Sequence, residues 1–280
     1  MSKYNSSGKL KEVDKNYQRL YSKYKSKYLK LKGGASGVES VVPKNIFIYW
    51  HDTKTIPMFV SKCIKQCQDM HPDYNIVIYD EMSIKEELKE DKEFLSLLLD
   101  HKLANEHKSD LIRLYLISKN GGIYCDASTI WGKKIHEIFD LNYNGVQGVS
   151  VPFKTDIKQI ENGYIVAPKN NNLIKKWYEE FKYAISISFE SYAEKFKNDF
   201  PNEKDLISWL PYLTAHACLN RIIKDKDKHY KLKVLPSHHF ELHIENDWNK
   251  ELIREKVKKN NYEILKKNNY KMTKIRGCDR

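Results

Sequence analysis

The sequence predicts an α/β domain with a largely parallel β-sheet that is covered by helices on both faces. Short runs rich in β-branched and aromatic residues alternate with longer amphipathic segments, which is the pattern of strand–helix–strand units. Apolar residues make up 41% of the chain and aromatic residues 12%, which is more than a disordered chain contains. With 280 residues, the chain can bury one large core or two modest ones.

The first part of the chain contains two continuous apolar runs. VVPKNIFIYW (residues 41–50) and NIVIYD (75–80) are typical of strands that are buried on both faces. Between them, Pro57 opens a predicted helix that runs to Met70, because proline is favoured in the first turn. Further helices are predicted over residues 83–90, 92–102 and 104–119, and a third short strand over 122–128.

The helix predicted over residues 104–119 is strongly amphipathic. Leu111, Leu114 and Ile117 belong to its apolar set, and Gly121-Gly122 ends it, since glycine commonly follows a helix C-terminus. Beyond residue 128, strands are predicted over residues 163–167 and 231–235, and helices over 172–186 and 205–223.

The net charge of +12 lies at the two ends of the chain. Residues 1–34 carry a net charge of +8, residues 249–280 carry +7, and the stretch between them carries −3. We predict a basic amphipathic helix and linker over residues 1–40, a globular domain over 41–248 and a basic helical extension over 249–280. Nucleic-acid binding is not expected, because a duplex-reading domain carries its positive charge on the folded body. The ends are either solvated charge or docking segments for an anionic surface or a partner.

Several classes of protein are excluded. No run approaches the ~20 apolar residues of a transmembrane helix, and the N-terminus has no apolar stretch of a secretory signal. The five cysteines form no CxxC pair, so we expect reduced thiols, no structural zinc site and a cytoplasmic location. No GxxxxGK(S/T) motif of a phosphate-binding loop is present.

The segment SDLIRLYLISKNGGIYCDAS carries the most informative polar residues. Asp110 and Arg113 are three residues apart, so they share one face of the predicted helix. Asp126 lies at the tip of the strand that follows, and ligands of open α/β sheets bind at the carboxyl ends of strands. This set suits a ligand with hydroxyls and phosphates that is held through Mg²⁺ or Mn²⁺. The alternative is that Asp110 and Arg113 form an ordinary surface ion pair.

Three segments together resemble a known family. They are IFIYWHD (residues 46–52), Ala104 followed by SDLIR (109–113), and GGIYCDAS (121–128). The combination is similar to glycosyltransferases of the GT-A fold, and most of all to the capsular polysaccharide synthesis family, glycosyltransferase family 32 and toxin-type relatives. The resemblance implies a Rossmann-like, mixed and mostly parallel sheet. It also implies hexosyl transfer from a nucleotide-sugar donor to a glycan or to a protein- or lipid-linked hydroxyl, with a divalent cation and with retention of configuration.

The resemblance also assigns roles by position. Trp50 would face the base or ribose, and Asp110 and Arg113 would hydrogen-bond the donor sugar and its phosphate side. Asp126 would bind the metal as the first acid of a DxD motif. Ser128 stands where that motif has its second acid, so it would act as a weaker ligand or through a metal-bound water. The donor-binding set is Tyr49, Trp50, Ser109, Asp110, Arg113, Gly121, Gly122, Tyr124, Asp126, Ala127, Ser128 and Asn162, within which Asp110, Arg113 and Asp126 form the catalytic set.

A further metal ligand is expected from the C-terminal part. The candidates are His238, His239, His243 and Asp247. His238 and His239 both follow a predicted strand end, and His239 is included in the predicted metal site with Asp126 and Ser128. Asn246 and Trp248 are candidates to close over the diphosphate, and Tyr164 is a candidate sugar or acceptor contact. Trp209, Tyr212 and His216 are expected in the core, as aromatic residues at helical spacing usually are.

A second hypothesis remains open. The fold would be an inactive scaffold, and the basic ends would bind nucleic acid or an anionic surface. The Lys/Tyr-rich tract YSKYKSKYLKLKGG also resembles leaders on proteins of large DNA viruses. That resemblance implies a location in the host cytoplasm or in the virus particle.

Overall fold

The structure is a computed structural model that describes most of the chain after residue 40. The described residues are 41–100, 103–151, 153–225, 229–236, 246, 249–259, 263–267 and 271–274. All of them belong to one unit, Ser40–Arg280. The predicted basic helix over residues 1–40 lies outside the described residues and stays a prediction.

A six-stranded mixed sheet forms the centre of this unit, and two further strands form a separate ladder. The strands are β1 (Asn45–Tyr49), β2 (Asn75–Tyr79), β3 (Gly122–Cys125), β4 (Thr129–Trp131), β5 (Val146–Val149), β6 (Tyr164–Ala167), β7 (Leu232–Leu235) and β8 (Met272–Lys274). The sheet has the strand order β2-β1-β3-β6-β5-β7, and β4 pairs with β8 in the ladder. In the sheet, β1 is parallel to β2 and to β3, and β5 is parallel to β7, whereas β6 is antiparallel to β3 and to β5. The predicted α/β fold with a mostly parallel sheet is therefore confirmed.

Helices cover both faces of the sheet. On β1, Phe47 and Tyr49 enter one apolar core, and Ile46 and Ile48 enter the other. A strand buried in this way needs apolar residues at successive positions, which explains the continuous run IFIY. The helices are α1 (Met58–Met70), α2 (Glu81–Glu87), α3 (Lys92–Leu98), α4 (Asn105–Asn120), α5 (Ile135–Ile138), α6 (Asn172–Ile187), α7 (Phe189–Asp199), α8 (Lys204–Ser208), α9 (Thr214–Ile223), α10 (Lys250–Lys259) and α11 (Ile264–Lys267). None of the described helices is long and apolar enough to cross a membrane.

The predicted helix over residues 205–223 is wrong as a single element. It is divided into α8 and α9, with residues 209–213 between them. Pro211 lies in this break; it has no backbone N–H and disfavours helical geometry in the residue before it. Strands β4, β5 and β8 are not predicted by the sequence, because elements of three or four residues carry little periodicity. Helix α7 is not predicted either, although Phe189, Tyr192 and Phe196 recur at helical spacing.

The described part of residues 249–280 belongs to the folded body, which corrects the predicted separate extension. Ile253 and Val257 of α10 are buried in the same core as α1, and β8 pairs with β4 in an antiparallel ladder. Two buried positions in a lysine-rich helix leave only a weak apolar stripe in the sequence. The composition of this segment therefore does not reveal that it packs into the apolar core.

Candidate functional site

A cavity of about 450 Å³ opens at the carboxyl ends of β1 and β3. Parallel strands place these ends at one edge of the sheet, where α/β proteins bind ligands. Five segments of the chain and the strand β8 contribute to its wall. The lining residues are Tyr49, Trp50, His51, Asn105, Glu106, Ser109, Asp110, Arg113, Asp126, Ala127, Ser128, Glu161, Asn162, Tyr212, Leu213, His216 and Lys274.

Arg113 is held in a fixed orientation from three sides. Its Nη2 donates to Ser109 Oγ at 2.8 Å and to Asp126 Oδ1 at 3.1 Å, and its Nε donates to the Ser109 carbonyl at 3.2 Å. The guanidinium lies 4.9 Å from the centre of the Tyr124 ring. Only 5% of Arg113 is exposed, so its orientation is set by the protein and not by solvent.

Asp126 lies directly after β3, between two cations. Its Oδ1 accepts from Arg113 at 3.1 Å, and its Oδ2 forms an ion pair with Lys274 Nζ. Burial by itself would raise the pKa of the Asp126 carboxyl, but the charges of Arg113 and Lys274 outweigh burial and hold that pKa below its ordinary value. Asp126 is therefore ionised at neutral pH.

Gly163 makes room for this carboxylate. The Asp126 N–H donates to the Gly163 carbonyl at 3.1 Å. A Cβ at position 163 would lie 2.8 Å from Asp126 Oδ2, closer than such atoms approach in proteins. The glycine thus allows the chain before β6 to pass beside the acid.

Asp110 brings the loop before β6 to the same site. Its Oδ1 accepts from Asn162 Nδ2 at 2.9 Å and lies 3.4 Å from Arg113 Nη1. The acids Asp110 and Asp126 are thus connected through one guanidinium. The structure brings together Asp110, Arg113, Asp126 and Asn162, as the sequence predicted.

Tyr49 and Trp50 form an aromatic wall where β1 ends. The Tyr49 hydroxyl and Trp50 Nε1 are buried and make no hydrogen bond within the described residues. Burial, with further effects of Glu81 and Asp80, raises the pKa of Tyr49, so its hydroxyl is neutral. Buried donors normally have partners, so these two atoms are exceptions at the edge of the cavity.

Three of the predicted donor-binding residues do not line the cavity. Gly122 begins β3, roughly 13 Å from Asp126 at about 3.3 Å per residue. Gly121 and Gly122 have φ of 62° and 98°, and a Cβ at Gly121 would lie 2.4 Å from the Lys169 nitrogen, so their role is in the turn and in strand packing. Tyr124 is fully buried and supports Arg113 and Ser109 from below.

Several cavity residues are missed or misplaced by the sequence analysis. His216 is buried, as predicted, but it faces the cavity, with Nε2 3.9 Å from Glu161 Oε2. Trp209 and Tyr212, predicted in the core, are 59% and 52% exposed. Lys274 and Glu161 were missed; the only signal in the sequence was that Glu161 precedes the candidate Asn162.

The described residues do not fit the predicted metal site. His239, like His238, His243, Asp247 and Trp248, lies outside the described residues, and within the described part no three His, Cys, Asp or Glu residues form a metal-binding group. Asn246 is buried but does not line the cavity. Ser128 lines the cavity, yet both oxygens of Asp126 are paired with cationic side chains. A divalent cation needs free oxygen ligands and would have to displace Lys274.

The chain matches one protein-family model over nearly its whole length. The model for "Capsular polysaccharide synthesis protein" matches residues 2–276. The chain belongs to this family. The match covers all described elements of the fold, so the cavity lies within the part shared with the capsular polysaccharide synthesis family.

Curated proteins match parts of this family member. O-glycosyltransferase braB of Annulohypoxylon truncatum is 25% identical over 158 residues, which are 50% of this chain and 37% of that protein. Inositol phosphoceramide mannosyltransferase 3 of Schizosaccharomyces pombe is 32% identical over 91 residues, which are 32% of this chain and 25% of that protein. The matched part of the chain therefore spans less than half of the length of either relative.

The solved structure of "PaToxG Glycosyltransferase" is also similar to this member of the capsular polysaccharide synthesis family. It is 19% identical, and the alignment covers 68% of this chain and 81% of that chain with a TM-score of 0.38.

Proposed function

We propose that this protein transfers a sugar from a nucleoside-diphosphate sugar to a hydroxyl of a glycan or of a protein- or lipid-linked acceptor. The proposal rests on one observation. The side chains of Asp110, Arg113 and Asp126 are linked to one another in a cavity of about 450 Å³ at the carboxyl ends of β1 and β3. Membership of the capsular polysaccharide synthesis family supports it. The names of the two curated relatives, an O-glycosyltransferase and a mannosyltransferase, describe sugar transfer by those proteins.

The cavity has the properties that a nucleotide sugar requires. Its volume of about 450 Å³ lies within the usual range of small-molecule sites. Tyr49 and Trp50 offer aromatic surface for a base and ribose. Asp110 and Asn162 offer polar atoms for sugar hydroxyls.

Transfer breaks the bond between the anomeric carbon and the diphosphate oxygen and forms a bond from that carbon to the acceptor oxygen. Negative charge develops on the leaving diphosphate, and Arg113 is the buried cation fixed to receive it. The acceptor proton passes to a base, and we assign this role to Glu161, a buried carboxylate beside His216 in the cavity wall. Retention of configuration, which the family resemblance implies, stays a prediction. The signal of the anomeric proton of the product distinguishes retention from inversion.

The test is a screen of UDP- and GDP-sugars for thermal stabilisation and for donor turnover, followed by Arg113→Met. Loss of a fixed cation from the transition state should lower turnover by about 10²–10³-fold. Arg221→Met is the matched control, because Arg221 pairs with Asp199 at 2.6 Å and does not line the cavity. The proposal fails when no nucleotide sugar stabilises the protein, or when both variants retain the rate of the unmodified protein.

A further inference from the structure

We propose that Lys274 supplies the positive charge that neutralises the donor diphosphate beside Asp126, at the position where a divalent cation would otherwise bind. This inference rests on the proposed function. It assigns a role to a residue of the last described strand and changes the expected metal requirement of the reaction.

The ladder between β4 and β8 places Lys274 at the site. Thr129 pairs with Lys274 and Trp131 with Met272 in the antiparallel register. The Thr129 N–H donates to the Asp126 carbonyl at 3.0 Å, so β4 begins directly after the loop that carries the acid. The end of β8 is thereby aligned with this loop.

The flanking residues fix the strand in the body of the protein. Met272 and Thr273 are buried, and so are Ile130 and Trp131 opposite them. Lys274 is the first residue along β8 that reaches the cavity. The position of its backbone is therefore set by burial of the strand.

The contact itself has the character of a cation site. Lys274 Nζ pairs with Asp126 Oδ2, the carboxylate oxygen that Arg113 does not occupy. The Lys274 side chain is 24% exposed and that of Asp126 is 11% exposed, so the lysine is the more accessible member of this pair, and both residues line the cavity. A ligand entering the cavity meets this ammonium.

The cavity wall holds two cationic side chains, Arg113 and Lys274, among several carboxylates. Arg113 is shared between Asp110 and Asp126, so Lys274 is the second cation that an anion can meet beside these acids. The diphosphate of a nucleotide sugar carries a negative charge on each phosphate. A lysine ammonium binds phosphate as a point charge, and one that is already held in place needs little reorganisation during the reaction.

The experiment measures binding of inorganic pyrophosphate by titration calorimetry in EDTA and in Mn²⁺, beside donor turnover under both conditions. The unmodified protein should bind pyrophosphate in EDTA and retain turnover there. Lys274→Met should weaken binding in EDTA at least tenfold, and Lys274→Arg should restore most of it because the charge is kept. Mn²⁺ should partly restore binding to Lys274→Met, because the substitution frees Asp126 Oδ2 for a metal.

Lys271→Met is the matched control, since Lys271 precedes the same strand and does not line the cavity. It should bind pyrophosphate within twofold of the unmodified protein. Thermal unfolding of each variant verifies that β8 remains in place.

The inference is overturned when the unmodified protein binds pyrophosphate and turns over donor only with Mn²⁺, and Lys274→Met leaves that metal-supported activity within twofold. The proposed function would survive that result. A protein that binds no nucleotide sugar with or without Mn²⁺ instead contradicts the proposed function itself.

Discussion

At the scale of single residues, Arg113 organises the charges of the cavity. It contacts Asp126 at 3.1 Å, lies 3.4 Å from Asp110, and is supported by the ring of Tyr124. Burial would lower the pKa of Arg113, but Asp126 and the other nearby groups raise it, so the guanidinium stays charged. Two acids that would repel each other are thus held in one cavity.

Gly163→Ala tests how closely the position of the Asp126 carboxylate is specified. The new Cβ would lie 2.8 Å from Oδ2 and would push the carboxylate away from Lys274 or Arg113. We expect donor turnover to fall at least tenfold, since small displacements of catalytic groups are costly. Steady-state kinetics measures the change, and thermal unfolding verifies that the variant is folded. A variant that is folded and as active as the unmodified protein would show that the carboxylate tolerates displacement.

At the scale of elements, some strands that form the site can be predicted from the sequence and others cannot. β1 and β3 are buried on both faces, so their apolar runs and the polar residues after them could be predicted. β8 has three residues in a lysine-rich segment, and its pairing with β4 spans more than 140 residues of chain. Neither periodicity nor composition reports such a long-range pairing, which is why Lys274 was missed. Glu161 was missed and His216 was assigned only to the core for a related reason, because a loop and a helix start meet only in the folded protein.

Met272→Ala tests whether β8 is part of the body. Met272 is fully buried, so its truncation should lower the free energy of unfolding by about 2–5 kcal/mol. Leu252→Ala is the control; Leu252 is 40% exposed, and its truncation should change that free energy by about 0.5 kcal/mol or less. Urea unfolding measures both values. Equal, small changes would mean that the C-terminal segment is an appendage, as its composition suggests.

At the scale of the whole molecule, the net charge of +12 has two different contributions. Residues 1–34 carry +8 and lie outside the described residues, so docking of this end on an anionic surface or partner stays a prediction. The C-terminal segment is equally basic in composition, yet its described part contributes α10, β8 and a lysine to the cavity. Removing residues 249–280 would therefore disrupt the fold and the site together and cannot separate an enzyme from an inactive scaffold.

A second cavity offers a rival place for an anionic ligand. It has a volume of about 970 Å³ and is lined in part by Lys119, Lys169, Lys175, Lys176 and Lys231. Lys119 and Lys169 flank the turn at Gly121, at the other end of β3 from Asp126. A nucleotide could bind there through charge alone, without any of the acids that the proposed chemistry requires.

The most direct test is a crystal structure of the protein with the nucleotide sugar that stabilises it most. We expect the diphosphate within hydrogen-bond distance of Arg113 and Lys274, with the base against Tyr49 and Trp50. A nucleotide bound in the lysine-lined cavity beside Lys169, with the cavity at Asp126 left empty, would contradict the proposed site.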